Sequence, residues 1–122
     1  MNRIFLALAG FFGATAIIFG SLSSHALSHI LTTHELDIFK LGVQYQMYHT
    51  LALLGVGIWL NHHKNRFLVI AGWLFTLGIV FFSGTMYGMT YLGLSNIGTA
   101  PIGGLAFIVG WLLLIVAALK YK

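Results

Sequence analysis

Cysteine is absent from this 122-residue chain. Its absence excludes disulfides, thiolate metal ligands and cysteine nucleophiles, and leaves the redox compartment open. Carboxylates are almost absent too. Glu35 and Asp37 are the only two, and charged residues make up 7% of the sequence, where a soluble domain carries roughly 25%. Proline occurs once, at Pro101, so no helix breaker interrupts the long apolar stretches before it. The six Lys and Arg form no run, which argues against a nucleic-acid partner. No HExxH, G-x-S-x-G or nucleotide-binding loop is found, so the usual hydrolase, zinc-protease and NTPase signatures are missing.

What is present is apolar: 59% of residues are hydrophobic, with a mean hydropathy of +0.95. This is the composition of an integral membrane protein. A helix needs ~20 residues to cross a hydrocarbon core of ~30 Å, so four crossings consume nearly the whole chain. We therefore expect an all-α fold, an antiparallel integral membrane four-helix bundle forming a single transmembrane domain over residues 1–122. The helices are expected at about 3–24, 33–60, 67–91 and 101–119.

The stretch Gly42 to Leu60, GVQYQMYHTLALLGVGIWL, organises the rest. Its 19 residues carry no formal charge yet include Gln44, Gln46 and His49, so the other three apolar segments are expected to wrap this helix and keep its polar patch from lipid. The first segment, Ile4 to Ser24, follows Arg3 and is too long for a signal-peptide core of ~7 to 15 residues. Its Ala9, Gly13, Ala16, Gly20 and Ser24 recur near every fourth position, a small-residue stripe suited to close helix packing inside the monomer.

Residues 25–34 form an expected outer loop, part-helical because Leu27, Ile30 and Leu31 fall at helical spacing. Thr32 with Glu35 three residues later matches a capping box and predicts the second helix from Thr33. NHHKNR at Asn61 to Arg66 is a short turn that makes the second and third helices antiparallel. In the later helices, Gly84 and Gly88 form a GxxxG step, and Gly103 and Gly104 follow Pro101, which suits a first turn. Gly13, Gly20, Gly84, Gly88, Gly103 and Gly104 are the expected helix-packing positions.

Four crossings put Arg3, Lys64, Arg66, Lys120 and Lys122 on one side and Lys40 alone on the other. This bias predicts that both termini face the cytoplasm. On that inner side the helices are apolar, whereas Ser21, Ser23, Ser24, Gln44, Tyr45, Gln46, His49, Ser83, Thr85 and Tyr87 collect in the outer half. The expectation is an outward-open polar pocket around His49, formed with Gln46, Tyr45, His25, Ser83 and Tyr87. His49 itself reads as a structural brace, a binding group or a proton carrier. No catalytic residue is assigned, since the spanning part holds no carboxylate. His25 and His29, four apart, are the candidate ligands for a divalent metal, with His34, Glu35 and Asp37 nearby in sequence; no other cofactor is expected. His62 and His63 beside Lys64 and Arg66 read as a basic loop at anionic headgroups.

FGSLSSHAL at Phe19 to Leu27, YQMYHTLALL at Tyr45 to Leu54, FFSGTMYGM at Phe81 to Met89 and TAPIGGLAFIVGW at Thr99 to Trp111 together resemble a small bacterial membrane family. It is known as domain of unknown function 423 or uncharacterised protein family 0382, the YgdD/YwdK-like proteins. The family usually reads Gly-Ala-Phe-Gly-Ala-His ahead of its first histidine; here serines replace several of those small residues. The resemblance implies four membrane helices, an outward loop bearing His25, and motif positions at His25, Tyr45, Gln46, His49, Ser83, Gly84, Tyr87, Pro101, Gly103 and Gly104. It implies no activity. Three functions fit these readings. One is a binding or helper module serving membrane lipids, a small molecule or a partner membrane protein. Another is a transporter or channel subunit completed by homo-oligomerisation. The third is a metal-binding or enzymatic site on the outer-loop histidines.

Overall fold

The computed structural model describes residues 2–91 and 99–120. Residues 92–98 of the connection expected between the third and fourth helices, 92–100, and the charge of Lys122 lie outside them. The first helix, α1, spans Asn2–Ser24 and buries Phe5, Ala9, Phe12, Ala16 and Ser23, one stripe at helical spacing. Phe11, Ile17 and Ile18 point the other way and are exposed, as expected of a face solvated by lipid. Of the expected small-residue stripe, Ala9 and Ala16 are buried within the molecule, Gly13 and Gly20 are half-buried, and Ser24 is exposed. A Cβ at Gly13 or Gly20 would meet Thr50 or Val43 at ordinary distances of 3.6 and 3.5 Å.

Beyond Ser24 the chain tightens into a 3-10 turn at Leu27–His29. The second helix, α2, then starts at Thr33 and runs to His62. Its start is the predicted capping box: the amide of Glu35 donates to Thr32 Oγ1 at 3.1 Å, and the amide of Thr32 donates to Glu35 Oε1 at 2.9 Å. These 30 residues span ~45 Å. One face of α2 buries Gly42, Gln46, His49, Thr50, Leu53, Val56 and Gly57. The opposite face exposes Leu41, Tyr48, Leu51, Leu54 and Ile58. Polar groups therefore face inward and apolar groups outward, the arrangement lipid demands. Gln44 departs from the expected patch: it falls on the exposed face.

Asn65 caps the third span by accepting from the amide of Phe67 at 2.8 Å. That span is one rod made of α3 (Arg66–Gly78), a π-helical turn (Ile79–Ser83) and α4 (Gly84–Tyr91). The last helix, α5, covers Thr99–Leu119, so it begins two residues before Pro101, whose missing N–H falls in the first turn where no helical partner exists. Among the described residues, three stretches, Asn2–His29, Arg66–Thr90 and Thr99–Leu119, are long and apolar enough to cross a membrane. The more polar α2 has the length and packs between α1 and the third span, which in turn packs on α5.

Two groups of charges mark the ends of the bundle. Glu35 and Asp37 lie at the start of α2, the acidic end; Arg3, Lys64, Arg66 and Lys120 lie at the other, basic end. Toward the basic end Phe5, Leu53, Leu68 and Phe75 are fully buried and form an apolar plug. The close backbone approaches agree with those predicted at Gly103 but otherwise fall at glycines the spacing did not single out. A Cβ on Gly103 would lie 2.5 Å from the backbone N of Phe82, one on Gly72 would lie 2.5 Å from the ring of Phe5, and one on Gly78 would strike the ring of Phe107. Gly84 and Gly104 have nothing within 4 Å of such an atom. The predicted GxxxG step is thus split: Gly88 is buried while Gly84 is exposed. Both Gly84 and Gly104 face away from the crossing points that their neighbours make.

Candidate functional site

Gln46 is 2% exposed, and its amide ties three helices together. Nε2 donates to the carbonyl of Phe12 and to Thr15 Oγ1, each at 2.8 Å, and Oε1 accepts from the hydroxyl of Tyr87 at 2.5 Å. The amide orientation is fixed by these partners, since a carbonyl can only accept. Thr15 passes its own proton back to the α1 carbonyls of Phe11 and Phe12. The ring of Tyr87 is held by Phe19 and Phe39, with centroids at 4.9 and 4.8 Å.

One turn further along α2, His49 has a separate environment. Its ring stacks on Phe107 at 3.5 Å between centroids. Nδ1 lies 2.7 Å from the carbonyl of Tyr45, and Nε2 accepts from the indole N–H of Trp111 at 3.0 Å. Because an indole nitrogen can only donate and a carbonyl can only accept, the ring carries its proton on Nδ1. Tyr45 stacks on Phe82, centroids 4.8 Å apart, and shields the same cluster.

Ser83 closes the π-turn against α2 by donating to the carbonyl of Gly42 at 2.7 Å. A Cβ on Gly42 would lie 2.9 Å from that of Met86, so a larger residue there would push the third span away.

The expected outward-open pocket is therefore divided. Gln46 and Tyr87 share one node, His49 and Tyr45 belong to another, and Ser83 bonds the backbone between them. His49 is buried, with one ring face and both nitrogens occupied, so it does not line an open pocket in this arrangement. His25 joins none of these groups. It is exposed beyond the last turn of α1, on a shallow surface depression with Ile17, Ser21 and Leu22. His25 and His29 do not share an α-helical face, because the 3-10 turn replaces the α-helix between them, and Glu35 is engaged in the cap. Among the described residues no three His, Asp or Glu side chains gather at one point.

Beside the Gln46 node the wall of the bundle opens. A groove of about 240 Å³ runs between α1 and the third span, bounded by Phe11 and Phe19 on one side and Val80 and Gly84 on the other, with Thr15, Gln46 and Tyr87 at its back. Phe11 and Val80 are 62% and 52% exposed, so the mouth faces sideways, to lipid.

Sequence reasoning missed Thr15, Phe12, Phe107 and Trp111 as partners. Trp111 carried a usable signal. It sits midway along α5 rather than at an end, where interfacial indoles concentrate, and a Trp away from water needs an acceptor for its N–H.

The family model described as "Protein of unknown function (DUF423)" matches residues 19–104. The chain belongs to this family. It is 38% identical over 120 residues to a UPF0382 membrane protein of Haemophilus influenzae, covering 96% of this chain and 92% of the relative. It is 35% identical over 121 residues to the UPF0382 membrane protein YwdK of Bacillus subtilis, covering 98% of each. It is 32% identical over 123 residues to the UPF0382 inner membrane protein YgdD of Escherichia coli, covering 99% and 93%. No solved structure matches. These family relationships and the helical bundle make the chain a multi-pass membrane protein.

Proposed function

We propose that this DUF423 protein is a lipid-binding module of the bacterial cytoplasmic membrane, oriented with both termini inside, and that its site is the lateral groove backed by Gln46 and Tyr87. The observation that carries the reading is the groove itself: apolar walls, a mouth open to the hydrocarbon region, and a back wall whose polar atoms are already paired among Gln46, Thr15 and Tyr87. A floor with its hydrogen bonds satisfied has no need of a polar ligand, so the occupant is an apolar chain, the acyl tail of a membrane lipid. The His49, Trp111 and Phe107 cluster braces the far side of α2. The orientation rests on the charge bias, and the E. coli relative's description as an inner membrane protein supports the location.

Gly84 offers the test. A Cβ there meets nothing within 4 Å, so Gly84→Leu fills the groove without straining the bundle. Protein reconstituted with a photoactivatable phospholipid is expected to crosslink at residues 11–19 and 79–87, and Gly84→Leu is expected to abolish that labelling while thermal stability is kept. Labelling spread evenly over the lipid-facing residues of α2 and α5, or unchanged by Gly84→Leu, overturns the proposal.

A further inference from the structure

At the basic end a second cavity, about 340 Å³ and open on one side, lies where the starts of α1 and α3 meet the end of α2. Asn2, Leu60, Lys64, Asn65, Arg66 and Val69 line it. Its frame is tied on two sides: Asn2 Nδ2 donates to Asn61 Oδ1 at 2.9 Å, and Asn65 Nδ2 donates to the carbonyl of Ala117 at 3.3 Å. Lys64 and Arg66 are exposed. No acidic side chain stands near either, because Glu35 and Asp37, the only two in the protein, lie at the opposite end of the bundle. Arg66 extends over the ring of Phe67, 5.5 Å from its centroid, so its guanidinium is supported by an apolar stem at the membrane surface. Leu60 and Val69 supply an apolar floor facing the hydrocarbon.

From this combination we infer that the cavity is a binding site for the phosphate of an anionic phospholipid headgroup, gripped by Lys64 and Arg66 while its acyl chains descend past Leu60 and Val69. A guanidinium matches phosphate with a two-pronged donor set, and an ammonium adds a point charge. The apolar floor distinguishes a lipid phosphate from a free one, since only the lipid has tails to place there. The inference is independent of the lateral groove, which lies between α1 and the third span and is lined by different residues.

Native mass spectrometry of the detergent-solubilised full chain, titrated with phosphatidylglycerol, phosphatidylcholine or inorganic phosphate, tests it. Phosphatidylglycerol is expected to bind more tightly than phosphatidylcholine, with affinity falling about fivefold on Lys64→Gln or Arg66→Gln and about thirtyfold on both. Lys120→Gln, at the same end but outside the cavity, is expected to leave the affinity unchanged, and Gly84→Leu to leave the preference for phosphatidylglycerol over phosphatidylcholine unchanged. The inference is overturned if the double variant binds phosphatidylglycerol as the parent does, if Lys120→Gln weakens binding equally, or if inorganic phosphate competes as well as the lipid. Loss of groove crosslinking in Gly84→Leu with headgroup preference intact separates this site from the one proposed above.

Discussion

The indole N–H of Trp111 donates to Nε2 of His49 across 3.0 Å, joining two residues 62 positions apart in sequence. This bond links α5 to α2 although the third span is packed between them, and it gives both ring nitrogens of the buried His49 a partner. In hydrocarbon such a bond contributes ~0.6 kcal/mol on average and up to ~1.7. A double-mutant cycle of Trp111→Phe and His49→Phe in detergent unfolding is expected to return a coupling within that range, toward the upper end because Phe107 stacking fixes the ring. In the parent, nitrogen NMR is expected to show the proton on Nδ1. Zero coupling, or a proton on Nε2, would show that the two rings merely pack.

The capping box at the acidic end predicts a local effect. Thr32→Ala removes the acceptor for the amide of Glu35 and leaves one of the first amides of α2 without a partner. The expected cost is about 1 kcal/mol. Hydrogen exchange of the Glu35 and Leu36 amides should speed up while amides around Gln46 stay protected. Uniform acceleration along α2 would show instead that the cap holds the whole helix.

Much of the fold was legible because lipid imposes simple rules. Apolar length set the spans, Thr32 and Glu35 set the start of α2 to the residue, and the polar face of α2 pointed inward as predicted. The site was less legible, for two physical reasons. Depth along a helix can be counted from sequence, but azimuth between helices cannot: Gln46 and His49 are one turn apart yet face α1 and α5 respectively, so residues that share a depth do not share a pocket. The π-turn at Ile79–Ser83 adds to this, because one extra residue in a turn rotates everything after it. That rotation is consistent with Gly84 facing the groove rather than the partner helix its GxxxG spacing suggested.

Orientation is open to a background-free test, since the chain has no cysteine. Single variants K64C and K120C are expected to resist a membrane-impermeant maleimide in intact cells and to react after permeabilisation, while H29C reacts in both. All three positions lie outside the helical core, in exposed segments, so folding should be unaffected. Labelling of K64C in intact cells would reverse the topology and place the basic cavity in the outer leaflet.

The glycines supply the sharpest structural contrast, because they divide by surroundings that their sequence spacing does not show. Gly103→Ala would drive a methyl against the backbone N of Phe82, and Gly72→Ala would drive one into the buried ring of Phe5. Backbone cannot yield as a side chain can, so Gly103→Ala is expected to be the worse of the two, each within the ~1 to 3 kcal/mol typical of overpacking. Gly104→Ala, one residue away, places its methyl in open space. It should cost nothing and gain up to ~1 kcal/mol in helix propensity. Thermal unfolding of the three variants in one detergent decides the matter. Equal effects for Gly103→Ala and Gly104→Ala would mean that α5 is rotated about its axis relative to the third span, moving Trp111 away from His49 as well.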